Sequence, residues 1–283
     1  MTSSVVAPSI SRQERFASVG STNDVVRTWL ADGTPEICLA VADEQTAGRG
    51  RAGRSWVAPS GRALLLSLGF RPVWLAPDRV WRLASLMSLA MADAAEEVAG
   101  LPDRSIRLKW PNDLVIETVA GRAVAGPWRE GDEPREIRKL AGVLGETDGL
   151  GGPAPTAVVG LGINAGWHAE DFPPDLARTM TSLSAASGDR PIDLVLLLDG
   201  FLGRVEARME ALRAGRFDVA DWMDRQVTTG RVVRLEAGDG GIEDVRALGV
   251  DALSGALVVA DANAPRGERS VASGEIRHLR FGV

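Results

Sequence analysis

Two long stripes of apolar residues recur at three- and four-residue steps, one over 79–99 and one after Asp193, among short apolar runs bounded by glycine and proline. That arrangement restricts the chain to helices packed against a sheet. In the first stripe Val80, Leu83, Ala84, Met87, Met91, Ala94 and Val98 share one helix face, with the acidic residues turned outward. In the second, Asp193 is placed to cap a helix burying Leu194, Leu197, Leu198, Phe201, Val205, Met209 and Leu212. A shorter helix is expected after Ser21 or Thr22, with Val25, Val26, Trp29 and Leu30 inward and Gly33 beyond its end. Strands are expected at 37–42, at 63–70, on either side of Pro111, at 140–146 and at 156–163. From about Val227 the pattern changes to short strands with Gly and Asp turns (RVVRLEA, VRALGV, ALVVA, EIRHLR), so a small all-β domain should follow a boundary near 222–230. Residues 1–15 are polar and aperiodic and read as a disordered tail. The Gly/Arg/Glu-rich stretch 117–138 reads as a mobile insertion.

At about 150 residues per domain, 283 residues accommodate two units. No apolar run approaches the ~18–20 residues of a membrane helix. The first residues have neither the basic region nor the continuous apolar region of a secretory signal, so a cytoplasmic location is expected. The single cysteine, Cys38, cannot form an intramolecular disulfide or a cysteine zinc site, and within ICLAVA it reads as a small buried hydrophobe. The two histidines, His168 and His278, lie in no partner motif, which disfavours a histidine triad or a histidine-ligated metal. A net charge of −6 argues against a chain that coats nucleic acid. Of 32 basic residues only Lys109 and Lys139 are lysine, so these two mark places where a compact ammonium is wanted in an arginine-rich background.

Both lysines fall in conspicuous segments. Gln45–Trp56 reads QTAGRGRAGRSW, and its Gly48, Gly50 and Gly53 formally match the dinucleotide pattern G-x-G-x-x-G. A dinucleotide site needs a helix to begin at that loop, whereas here the chain runs through SWVAPSG into another strand. What the loop offers is backbone free to approach a ligand and guanidinium groups that fork onto phosphate or carboxylate oxygens. An exposed turn and a basic nucleic-acid contact are the competing readings; the negative charge disfavours the second, and the flanking Gln45 and Trp56 favour a pocket wall over a turn. Lys109-Trp-Pro-Asn-Asp113 ends a strand with a cation, an amide and a carboxylate. Lys139-Leu-Ala-Gly-Val-Leu-Gly-Glu146 opens a strand just after the insertion, and GLGIN ends one at Asn164, which can both donate and accept.

The order STN, QTAGRGRAGRSW, LKWPND, KLAGVLGE, GLGIN, TSL and GEIRHLR, over roughly residues 16–283, resembles the biotin protein ligases. The resemblance implies an α+β fold: a central mixed sheet of the class II synthetase-like biotin/lipoate ligase type over 16–225, and a small SH3-like β-barrel over 226–283. It implies that ATP, with Mg²⁺, activates biotin to biotinyl-5′-AMP, and that the biotinyl group then passes to one lysine of a biotin carboxyl carrier domain. It also implies the monofunctional form, since no helix-turn-helix fits before residue 16, and hence neither DNA nor a membrane as partner. Lipoate ligases carry a glycine triplet and a histidine not found here, so lipoate or another acyl acid is the weaker alternative. The insertion between KWPND and KLAG departs from the family's compact spacing.

By the same resemblance, Ser21, Thr22, Asn23, Gln45, Gly48, Arg49, Arg51, Trp56, Lys139 and Gly142 are expected at biotin, the hydroxyls and Gln45 on its ureido ring. Arg49, Arg51, Arg54, Lys109, Asn112 and Asn164 are expected at ATP, the two asparagines near the adenine. Lys139 would stand beside the carboxylate and α-phosphate, Arg51 would help close the loop over the intermediate, and Asp113 would orient the acceptor lysine. The sequence assigns neither metal ligands nor an oligomeric state.

Overall fold

In the computed structural model, which describes residues 10–129, 132–237 and 240–278, an eight-stranded sheet forms the body of the molecule. Its strands are β1 (Arg12–Phe16), β2 (Cys38–Ala42), β3 (Ala63–Phe70), β4 (Ile106–Lys109), β5 (Asp113–Val119), β6 (Arg122–Ala123), β7 (Glu136–Asp148) and β8 (Thr156–Asn164). They lie in the order β1-β2-β3-β8-β7-β5-β4, with β6 paired to β5. The β1–β2 pair is parallel and the others are antiparallel, so the sheet is mixed as expected.

The helices are α1 (Thr22–Ala31), α2 (Trp81–Ala99), α3 (Leu183–Ala186), α4 (Leu194–Arg213) and α5 (Val219–Asp224). The two long stripes become α2 and α4, which pack together on one face of the sheet over Leu39, Val41, Leu66 and Leu68. Helix α1 covers the other face, where Val26, Trp29 and Leu30 meet Cys38, Ala40 and Val158. Both faces being covered explains why β2 and β3 read as continuous apolar runs with no alternation. Asp193 caps α4 as expected: its Oδ1 accepts from the amides of Val195 and Leu196 at 2.8 and 3.1 Å.

The carboxy-terminal strands β9 (Val232–Ala237), β10 (Ile242–Val250), β11 (Leu257–Ala260), β12 (Glu268–Val271) and β13 (Gly274–His278) follow the path β12-β11-β10-β9-β13. At a bulge between Ala247 and Gly249, β10 passes from pairing with β9 to pairing with β11. The path is open: among the described residues no pairing joins β12 to β13, so the expected barrel is not closed by a ladder.

Two expectations need correcting. The disordered tail was expected to run to residue 15; residues 1–9 lie outside the described residues, but Arg12–Phe16 is an edge strand in register with Cys38–Ala42. Its side chains are mostly exposed and so carry no apolar pattern, while its backbone is held by β2 and the Arg12 guanidinium sits 4.1 Å from the Trp29 ring. The stretch 117–138 is also less free than expected. Its ends lie in β5 and β7, and the fully buried Glu117 carboxylate pairs with Arg135 inside the stretch and with Arg231 at the start of the carboxy-terminal sheet. Charged residues hid this packing from a search for apolar periodicity.

Candidate active site

A cleft of about 470 Å³ is built around a strip of sheet with no side chains of its own, on which Trp56 and Asn23 are seated. Gly142 on β7 stands opposite Gly162 on β8, and Gly160, two residues earlier, faces the same way. Both bare positions on β8 are required. A Cβ on Gly162 would come within 2.6 Å of Trp56 Nε1, and one on Gly160 within 2.1 Å of Asn23 Oδ1.

One wall is the start of α1. Thr22 donates from its amide and hydroxyl to Gln45 Oε1 at 2.8 and 3.0 Å, which fixes the Gln45 amide. Buried Ser67 lies 2.7 Å from the Thr22 hydroxyl and 2.6 Å from Asn23 Oδ1, and Asn23 Nδ2 donates to Glu146 at 2.7 Å. These bonds leave Ser21 and the amide of Gln45 along a rigid polar edge. The opposite wall is Trp56, whose amide donates to Gly48 O while Gly50 N donates to Arg54 O, so the Gly/Arg loop is folded back on itself. A side chain at Gly48 would strike Trp56 O at 2.4 Å.

At the end of the cleft Lys139 Nζ lies 2.6 Å from Asp113 Oδ1 and 5.4 Å from the Trp56 ring centroid. In a regular strand Lys139 and Gly142, three residues apart, would face opposite ways. A bulge resolves this: Leu114 pairs with Ala141 but Val115 pairs with Lys139, leaving Leu140 as an extra residue. The bulge turns Lys139 onto the face that carries Asp113. Lys109 Nζ is 3.9 Å from the other Asp113 oxygen. Burial lowers the Lys109 pKa below the ordinary lysine value; Asp113 opposes that shift and Lys139 adds to it.

Of the residues expected at a ligand, Ser21, Thr22, Asn23, Gln45, Arg49, Trp56, Asn112, Lys139 and Gly142 line this one cleft. Gly48 is buried behind it and Asp113 reaches it through Lys139. The others lie elsewhere in this structure. Arg54 turns to the carboxy-terminal sheet and pairs with Glu275 at 2.5 Å. Asn164 is fully buried, outside the lining of this cleft, and its Nδ2 donates to Thr181 O. Arg51 lies outside the lining, with Nη1 buried and unpartnered among the described residues. Lys109 faces a second cleft. The Arg49 guanidinium is bound by Asp24 at 2.6 and 2.8 Å, which raises its pKa and lowers that of Asp24.

Sequence reasoning missed Gly160 and Gly162, although the G-L-G alternation in a strand was a usable signal for a bare face. It also missed Glu146, whose partners come from α1 and the loop and leave no local pattern.

A model of the biotin/lipoate A/B protein ligase family matches residues 16–164. The biotin–[acetyl-CoA-carboxylase] ligase of Mycobacterium tuberculosis is 31% identical over 269 residues, 93% of this chain and 88% of that protein. The chain belongs to the biotin/lipoate A/B protein ligase family. A second member, the bifunctional ligase/repressor BirA of Bacillus spizizenii, is 31% identical over 172 residues, which span 61% of this chain but only 46% of that relative. The biotin protein ligase from Aquifex aeolicus, solved with biotin and ATP, has the same fold, with a TM-score of 0.71 at 22% identity over 96% of this chain and all of that one. The Leishmania major biotin protein ligase with biotinyl-5-AMP has a TM-score of 0.56 at 23% identity, over 95% of this chain and 98% of that one. Among the described residues no helix is long and apolar enough to cross a membrane.

Proposed function

We propose that this family member is a biotin protein ligase: it activates biotin with MgATP and transfers the biotinyl group to a lysine of a biotin carboxyl carrier domain. The observation that carries the reading is that Lys139 and the Gly/Arg loop residues Arg49 and Gly50 line one cleft with the Trp56 ring, which is seated on Gly142 and Gly162.

In the first step a carboxylate oxygen of biotin attacks the α-phosphorus, and the bond to the bridging oxygen breaks to release pyrophosphate. Two anions must meet, so the step depends on positioning and on charge aimed at the phosphate oxygens. Lys139 supplies that charge, steered by Asp113 and by the Trp56 face. Ser21, Thr22 and Gln45 hold the ureido ring, and the Trp56 ring, seated on Gly142 and Gly162, offers the flat bicycle its face. Arg51, whose Nη1 has no partner among the described residues, turns in to the adenylate when the loop closes. Closure keeps water from the mixed anhydride. Mg²⁺, held by the phosphates of ATP and by water, would add positive charge at the phosphate oxygens.

In the second step the lone pair of the acceptor amine attacks the anhydride carbon. The C–N bond forms, the C–O bond breaks with its electrons on the phosphate of AMP, and the surplus proton leaves through Asp113 to water. The carboxy-terminal sheet is read as the family's SH3-like module, and the reaction as cytoplasmic.

The test is exchange of labelled pyrophosphate into ATP, followed by transfer to a carrier domain of acetyl-CoA carboxylase. Exchange with biotin but not with lipoate or octanoate is expected; exchange with lipoate and not biotin overturns the reading.

A further inference from the structure

A second cleft, of about 730 Å³, opens between α2 and the turn at 251–256 of the carboxy-terminal sheet. It adjoins the first. Asn112 and Val143 line both, and Asp113, which lines the second, holds the Lys139 of the first at 2.6 Å. Its walls are aromatic: Trp81, Trp110 and Trp222. Two of these rings are fixed by the turn itself, since Trp81 Nε1 donates to Leu253 O and Trp110 Nε1 to Gly255 O at 3.2 and 3.1 Å. Trp222 packs against Trp81 with centroids 4.7 Å apart and the rings tilted by 42°.

The polar groups in this cleft are of a particular kind. Gln226 is 5% exposed, its Nε2 donates to Trp222 O, and its Oε1 is buried without a hydrogen-bond partner among the described residues. A buried, unsatisfied acceptor carries a cost unless something brings it a donor. Phosphate, the other group that Lys109 could attract, brings none, and it would also meet the Asp113 carboxylate. A primary amine on a long apolar stem meets both requirements, with donors for Gln226 Oε1 and Asp113 and methylenes for the tryptophan faces.

We propose that the second cleft receives the acceptor lysine of the carrier domain, its stem between Trp81, Trp110 and Trp222 and its amine at Gln226 Oε1 beside Asp113. This rests on the ligase reading and adds the route by which the second substrate enters. Asp113, in contact with the arriving group, is placed to take the proton that the ammonium must lose before it attacks. Lys109 itself is faced by Asp113, Lys139, Glu275 and Arg54. The two substrates thus reach Asp113 from separate sides, and the carrier lysine need not pass the Gly/Arg loop.

The test separates the two half-reactions in the full chain. Gln226→Met removes the acceptor with little change in volume, and Ser85→Phe, on the α2 side of the same cleft, obstructs it without touching Gln226. Both variants should keep biotin-dependent pyrophosphate exchange and the KM for MgATP. With purified biotinyl-AMP, kcat/KM for the carrier domain should fall about five- to tenfold in Gln226→Met, the effect of one hydrogen bond, and further in Ser85→Phe. Transfer to hydroxylamine, which needs no stem pocket, should be unchanged. A raised KM for MgATP with normal carrier transfer would give the cleft to the nucleotide and overturn the proposal, as would normal carrier transfer in both variants. Lack of exchange in the wild type would instead overturn the ligase reading.

Discussion

The Arg49 guanidinium lies across both oxygens of the Asp24 carboxylate, at 2.6 and 2.8 Å, and touches Glu146 at 3.4 Å. The loop is therefore held to α1 and β7 by an arginine whose charge is already engaged, and what Arg49 offers the cleft is its backbone. Asp24→Asn should loosen the loop. Because the pair is part-exposed, the KM for biotin should rise less than about fivefold, and less still at high salt. The Asp24 pKa lies below its ordinary 3.8, chiefly through the Arg49 hydrogen bond. The contribution of the pair is thus complete above 3.8 and is lost as the pH falls through the depressed value, so the stability difference between wild type and Asp24→Asn should shrink there. Equal KM values in both proteins at low salt would show that the pair does not position the loop.

Lys139→Ala should lower biotin-dependent pyrophosphate exchange by about 10²–10³ with the circular dichroism spectrum unchanged, the usual cost of one donor aimed at developing charge. Lys139→Arg should not restore the rate, since a planar fork cannot occupy the compact site between Asp113 and the Trp56 ring. Near-normal exchange by a folded Lys139→Ala protein would remove Lys139 from the mechanism.

Arg51→Ala should leave adenylation within reach of wild type but release biotinyl-AMP faster, because the loop loses the one guanidinium with an unpartnered buried nitrogen. The measurement is the dissociation rate of labelled biotinyl-AMP. An unchanged rate would deny Arg51 a part in retention.

Gly162→Ala tests the seat of Trp56. The added methyl would stand 2.6 Å from Trp56 Nε1, and the indole cannot yield by bending as a flexible chain end would. Biotin binding by calorimetry should be lost or weakened by about tenfold or more, while β8 remains paired, since alanine keeps the backbone donor and acceptor of both ladders. Wild-type affinity would mean that the seat of Trp56 on Gly162 does not shape the biotin site.

The pattern of apolar residues was enough to find α2, α4 and the buried strands, because those elements owe their stability to burial that sequence periodicity records directly. It was not enough for β1, whose exposed side chains leave only a backbone ladder, nor for the loop arginines, whose directions depend on partners far along the chain. Arg54 pairs with Glu275 and Arg49 with Glu146, and no local rule selects those partners. Lys139 is the sharpest instance. Its motif was legible, but strict alternation would have turned it away from Gly142, and only the bulge at Leu140 brings it into the cleft.

Glu117 joins three parts of the chain, since its fully buried carboxylate is shared by Arg135 of the 117–138 stretch and by Arg231, which leads into β9. Trp128, in the same stretch, adds its ring at 5.3 Å from the Arg231 guanidinium. Removing the carboxylate leaves two guanidinium groups facing each other with little water to screen them. Glu117→Gln should cost about 3–5 kcal/mol of stability, the range for breaking a buried ion pair from one side. Urea unfolding checks the size, and limited proteolysis checks the place, because cleavage between 120 and 135 should appear in the variant before any elsewhere. Pyrophosphate exchange at low temperature should survive, as Glu117 lies outside both clefts. If the variant unfolds at the wild-type urea concentration, the stretch is not held by this carboxylate.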